Sequence, residues 1–391
     1  MTEPITSHEE SAPELVREPR VFDALKYWAV IISAAVGTLL AWTSHDLLPE
    51  KFFLDESIIL RFVTGELRAD GFSSYGTTGL LYRVTGLGSI PELFPVISYL
   101  LFVFAIFRAV TWRGIGKMSP LGVLITSGSL LLGAAYLSQY SKEFFVIPLV
   151  ILLLSAHRSL GREIVWILLA LAYAFAVRPY WFLVVALYVA FRFIVPRVRS
   201  TWVLLLAVAL GFIAMIVAFQ IFLGEPLTFF RTDINNSLDF DRSTQIDDFI
   251  PGESIPVQWV NALLVMASMT LPFPLLLSGA GLQTLAGAFM AVCWILFFRR
   301  VPQILKHGGS SGVVPLAFLA SFLMVQTAFE PDYGSYIRHI CPMLPLLLSV
   351  HVRSGARGEE EHEDRSRDGD AGSGGVHGSL DAGEPAERAG L

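Results

Sequence analysis

Apolar residues are gathered into runs near positions 27–43, 89–107, 119–137, 144–156, 164–177, 180–196, 201–223, 258–277, 282–298, 313–329 and 340–350, with short polar stretches between them. A helix needs about 20 residues to cross the hydrocarbon core of a bilayer. Several of these runs are shorter, so the charges between them must decide which ones cross. Basic residues with few acids cluster at Arg108, Arg113 and Lys117, at Arg158 and Arg162, at Arg192, Arg197 and Arg199, at Arg299, Arg300 and Lys306, and at Arg353 and Arg357. The positive-inside rule assigns these clusters to the cytoplasm. The stretch from Glu225 to Glu253 carries seven acids against Arg231 and Arg242, so it belongs outside, with the stretch around Asp55 and Glu56.

One run breaks the alternation of sides. If 258–277 crossed fully, Arg299, Arg300 and Lys306 would lie on the wrong face. The run is therefore expected to be re-entrant or to lie at the outer surface, and Leu271-Pro272-Phe273-Pro274 supports this, because two prolines interrupt a helix within one turn. The expected fold is an all-α, polytopic integral membrane protein of about eight to ten transmembrane helices, an even number with both termini cytoplasmic. Its parts are a cytoplasmic segment 1–26, a membrane domain 27–352 with outer loops at 44–88 and 224–257, and an acidic tail 353–391 expected to be disordered. The first run leads into Thr43, Ser44, His45 and Asp46 without a small-residue cleavage motif, so it is read as a retained helix.

Composition agrees: 54% of residues are hydrophobic, 16% are charged and the mean hydropathy is +0.59. The net charge of -6 says little about the membrane body, because the residues from Gly358 onward hold 10 acids and 3 Arg. Cys293 and Cys341, the only cysteines, lie in apolar runs and form no metal or disulfide pattern. No internal repeat, Walker loop, dinucleotide fingerprint, zinc-type histidine pair or nucleophile elbow is present, and nothing points to nucleic acid.

Candidate chemistry comes from charges that sit too deep. Counting back about 20 residues from His157 brings Lys142 and Glu143 below the outer surface, and counting back from Val352 does the same for Tyr333, Arg338 and His339. Arg178 joins two runs at the same outer level, beside Tyr180. Singly, such residues can snorkel to the interface or form surface pairs. Together, with mixed signs at one depth, they fit an outward-facing polar cavity better. Asp55 and Glu56 either cap a helix or act chemically: one as base toward an acceptor hydroxyl, the other holding a hydrogen bond or a divalent cation. Consecutive helical side chains diverge by about 100°, so the two cannot share one role. Tyr75, Tyr82, Tyr140, Tyr180 and Trp181 are read as an interfacial aromatic belt, with a sugar-stacking platform as the other reading. Arg231, Asp233, Asp241, Arg242, Asp247 and Asp248 lie in an outer loop read as solvated, with a lid over a cleft as the other reading.

In order along the chain come the Asp55-Glu56 pair, Asp70-Gly71-Phe72-Ser73-Ser74-Tyr75, Ser141-Lys142-Glu143, Arg178-Pro179, Leu271-Pro272-Phe273-Pro274 and Tyr333-Gly334-Ser335-Tyr336-Ile337-Arg338-His339. This order resembles bacterial envelope-polysaccharide membrane proteins of the Wzy or EpsG polymerase type and the related glycosyltransferase-C superfamily, over most of residues 27–352. The resemblance implies a plasma-membrane enzyme that takes a polyprenyl-linked sugar donor on the outer side, beside other glycan-synthesis membrane proteins. It makes Asp55 and Glu56 the source of the base, and Lys142, Arg178 and Arg338 the cations that hold the lipid diphosphate. The chain departs from large glycosyltransferase-C enzymes in having no soluble outer domain after its last helix, and its central loop is only moderate in length. The other readings are a flippase or transporter of a lipid-linked saccharide and a non-enzymatic partner of a glycan-synthesis complex.

Overall fold

The computed structural model describes residues 19–68, 73–236, 244–277, 281–307 and 309–351, which are helical with no β-strand among them; one antiparallel bridge joins Gln245 and Asp332. Residues 1–18, Asp70, Gly71 and Phe72, Asp241 and Arg242, and the acidic segment 353–391 lie outside the described residues. The first third comprises α1 (Pro19–Trp42), α2 (Ser44–Leu47), α3 (Leu54–Thr64), α4 (Ser74–Val84), α5 (Phe94–Val110), α6 (Trp112–Gly116) and α7 (Pro120–Leu137). Then follow α8 (Val146–Ala156), α9 (Leu160–Ala176), α10 (Trp181–Ile194), α11 (Thr201–Phe222) and α12 (Phe229–Asn236). The last third is α13 (Ile255–Thr270), α14 (Phe273–Leu277), α15 (Gly281–His307), α16 (Ser310–Phe329), α17 (Tyr333–Ile340) and a closing helix at 344–351.

Local chemistry marks the helix starts. Ser119 caps α7 by accepting from the Gly122 amide, with Pro120 at the first helical position, and Ser159 and Asp332 cap α9 and α17 in the same way. The Pro272 interruption falls between α13 and α14, where the sequence required it.

Among the described residues five helices are long and apolar enough to cross a membrane: Asp23–Trp42, Pro120–Leu137, Thr201–Phe222, Gln283–His307 and Ser310–Phe329. Their burial ranks them from outside to inside. Only 17% of the apolar window in α1 is buried, against 83% in α16, so α16 is the central post and α1 stands at the rim. Helix α16 packs on α10 and α13, while α1 packs on α7 and α5. Close approach of α1 to α5 needs Gly37, where a Cβ would lie 2.0 Å from the Tyr99 hydroxyl oxygen.

Hydrogen bonds sort the connections onto two faces. On one face Lys26 Nζ donates to the Gly116 carbonyl at 2.7 Å, Arg108 Nη2 to Ser155 Oγ at 3.1 Å, and Ser310 Oγ to the His157 carbonyl at 3.3 Å. Arg192 Nε meets Glu163 Oε1 at 2.8 Å, one residue from Arg162. The basic clusters among the described residues thus share one end of the bundle. The opposite end carries α2, α3, α4, α12 and α17. Helix α13 meets that end twice: Gln258 Oε1 accepts from the Leu227 amide at 3.0 Å near its start, and Thr327 Oγ1 donates to Met269 Sδ at 3.9 Å near its finish.

Candidate functional site

Helix α3 sends its two acids apart, as a 100° step requires. Asp55 Oδ2 accepts from Arg338 Nη1 at 2.6 Å, and Oδ1 accepts from the Tyr75 hydroxyl at 2.7 Å. Glu56 turns away to His45 Nε2 at 3.1 Å and is buried. Burial pushes its carboxyl above the ordinary carboxylate range, against the opposing pull of His45 and the Tyr140 backbone. Arg338 also donates to the Phe52 carbonyl at 3.3 Å, so it ties α17 to the start of α3.

The turn before Lys142 is pinned by Tyr82, whose hydroxyl donates to the Ser141 carbonyl at 2.7 Å and accepts from the Ser141 amide at 3.2 Å. Lys142 Nζ then lies 3.4 Å from the centroid of the Tyr75 ring, a cation–π contact. Among the described residues no carboxylate forms a salt bridge with this ammonium, which sets it apart from Arg178 and Arg338.

A second set of ion pairs lies against this one. Arg178 Nη2 pairs with Glu143 Oε1, and Arg178 Nη1 donates to the Tyr180 hydroxyl at 3.1 Å. His339 bridges two acids, with Nε2 at 3.1 Å from Glu143 Oε1 and Nδ1 at 2.6 Å from Glu330 Oε2. Both glutamate side chains are 2% exposed. Among the described residues Glu143 Oε2, Glu330 Oε1 and Arg338 Nε are buried without a hydrogen-bond partner, which is costly unless a water or ligand serves them. A cavity beneath them has a polar roof of Glu143, Arg178, Tyr180 and His339 and an apolar floor that includes Trp181 and Phe322. It has room for about one water molecule.

The structure therefore brings Asp55, Lys142, Glu143, Arg178, Tyr180, Arg338 and His339 into one network, with Glu56 beside it on His45. Their charges fill the space between them with ion pairs, where the sequence led us to expect an outward-facing polar cavity. Tyr333 stands apart: its amide donates to the Thr244 carbonyl at 2.8 Å and its side chain faces Arg231 and Ser268.

Two members were missed. Tyr75 was read as part of an interfacial belt, yet it holds both Asp55 and Lys142. The belt reading fails likewise for Tyr82, Tyr140 and Trp181, which are buried against neighbouring aromatic rings. Glu330 left only a faint signal, an acid at the end of a long apolar run, two residues before Asp332. The outer loop is less solvated than expected: Arg231 is buried, pairs with Asp248 and donates to the Thr327 carbonyl at 3.0 Å. No group of three or more His, Cys, Asp or Glu arranged to hold a metal occurs among the described residues, so a divalent cation on Asp55 or Glu56 lacks a protein ligand set there. Comparison of the chain with family models, with curated proteins and with solved structures returned no match.

Proposed function

We propose that this chain is a membrane glycosyltransferase or repeat-unit polymerase that transfers sugar from a polyprenyl-linked phosphate donor in cell-envelope glycan synthesis. The observation that carries the reading is the convergence of Asp55, Lys142, Glu143, Arg178, Arg338 and His339, from four separate stretches of sequence, at the end of the bundle opposite the basic clusters. With the basic end in the cytoplasm, that site faces outward in the plasma membrane of a bacterium. In this arrangement α1, α5, α7, α8, α9, α10, α11, α15, α16 and 341–351 cross, an even number that returns both termini to the cytoplasm. Helix α13 is then the re-entrant element, since both its ends meet the outer side. The 142–156 segment is only ~24 Å long, so its polar head sits in a depression beneath the outer surface.

The proposed step is a displacement at the anomeric carbon. An acceptor hydroxyl oxygen bonds that carbon, the bond from the carbon to the phosphate oxygen breaks, and the lipid phosphate leaves with the electron pair. Asp55 takes the hydroxyl proton. Lys142, which forms no salt bridge among the described residues, is the first anchor for the phosphate, and Arg178 and Arg338 offer planar forks to its remaining oxygens. Fixed cations in a site poor in water stabilise charge that develops on a leaving group. A transporter would place ionisable groups near the helix centres; here they gather at one end. The test is incorporation of labelled sugar from a polyprenyl-linked donor by purified, lipid-reconstituted protein. Absence of incorporation and of donor binding would sink the reading.

A further inference from the structure

Glu330 lies in the turn between α16 and α17, and neither its sequence context nor the proposed chemistry assigns it a task. The turn is braced from the outer loop. The Ile246 amide donates to the Pro331 carbonyl at 2.9 Å, the Tyr333 amide to Thr244 at 2.8 Å, and Arg231 fastens the end of α16 through Thr327. A carboxylate held this firmly and 2% exposed has been taken out of water at a cost that only a specific partner offsets. That partner is His339, whose other ring nitrogen meets Glu143, which in turn carries Arg178.

We propose that Glu330 is a positioning residue that acts through His339 to hold Glu143 under Arg178, and so aims the Arg178 guanidinium at the phosphate of the donor. This rests on the function proposed above. An imidazole with an acid at each nitrogen is a double donor, which fixes the ring plane. Without Glu330 the ring is free to turn about its bond, and Glu143 loses one of the two groups that orient it. The groups facing His339 are Glu330 from the end of α16, Glu143 from the turn before α8 and Arg178 from the turn before α10, with Arg338 adjacent on α17. Burial and Arg178 oppose a charged ring, and Glu330 with Glu143 outweighs them, raising its pKa.

Glu330→Gln and Glu330→Asp test this in purified full-length protein whose melting temperature shows it is folded. Histidine ring nitrogens labelled with ¹⁵N, the His339 signal being identified by its loss in His339→Gln, report the titration directly. Farnesyl diphosphate binding reports the phosphate site. We expect His339 to lose its proton about one pH unit lower in Glu330→Gln, with farnesyl diphosphate bound about tenfold more weakly, and Glu330→Asp to restore part of both. A folded Glu330→Gln with unchanged His339 titration overturns the proposal, as does unchanged farnesyl diphosphate affinity. If His339 titration moves but the wild type binds no farnesyl diphosphate, the donor reading of the site falls, and with it the purpose assigned to Glu330, while the Glu330–His339 link itself stands.

Discussion

Arg338 and Asp55 are 283 positions apart in sequence, yet Nη1 of one lies 2.6 Å from Oδ2 of the other, closing the network between α3 and α17. The same carboxylate accepts from Tyr75, so the proposed base is held by a cation and a phenol at once. Asp55→Asn keeps the size but removes the basic oxygen, and its amide nitrogen can only donate, so one of the two accepted hydrogen bonds is lost. Sugar incorporation should fall about 10²-fold or more, with farnesyl diphosphate binding retained. Arg338→Lys should lower both, because an ammonium cannot replace the fork. The two changes combined should cost less than their sum, since each disrupts one contact. Near-normal incorporation by both single variants would place catalysis elsewhere.

Lys142 offers a separate test, because structural and functional roles predict opposite outcomes. Lys142 is buried and forms no salt bridge among the described residues, and an unpaired buried cation is a cost to folding. Lys142→Met fills a similar volume without charge, so the melting temperature in detergent should stay level or rise, while farnesyl diphosphate binding weakens at least about tenfold. A lowered melting temperature with intact binding would make Lys142 a structural element only.

Glu56 gives a pH signature. Its folded carboxyl is raised above the ordinary range by burial, so the stability it contributes is fully present at acidic pH and is lost as pH rises through the raised value. Glu56→Gln removes that loss. The variant should melt higher than wild type at pH 7.5 and level with it at pH 4. A variant less stable than wild type at pH 7.5 would mean that the His45 contact outweighs burial.

Much of this site was legible because a bilayer makes misplaced charge conspicuous. Lys142-Glu143 and Arg178-Pro179 stand out where an apolar run is too short to cross, and their depth followed from counting residues. The Pro272 break was equally visible. What could not be read was pairing. Whether Arg338 faces Asp55 or Glu143 depends on how α3 and α17 meet across the whole chain, and Glu330 acquires meaning only through His339. Tyr75, Tyr82 and Tyr140 show the same limit: an aromatic at the outer level looks alike whether it faces lipid or packs inward against other aromatic rings, and helix packing decides which.

Orientation is the premise beneath all of these tests, and it can be checked without any assay of chemistry. The two native cysteines, Cys293 and Cys341, are buried and free, so they should give little background toward a polar thiol reagent. Asp233 in α12 and Arg113 in α6 are both exposed, at opposite ends of the bundle. If the basic end is cytoplasmic, Asp233→Cys should react with a membrane-impermeant maleimide in intact cells. Arg113→Cys should react only after the membrane is opened. Labelling of Arg113→Cys alone in intact cells would invert the protein and put the charged network in the cytoplasm. There a nucleotide-activated sugar, rather than a lipid-linked one, would be the donor to test against Lys142 and Arg178.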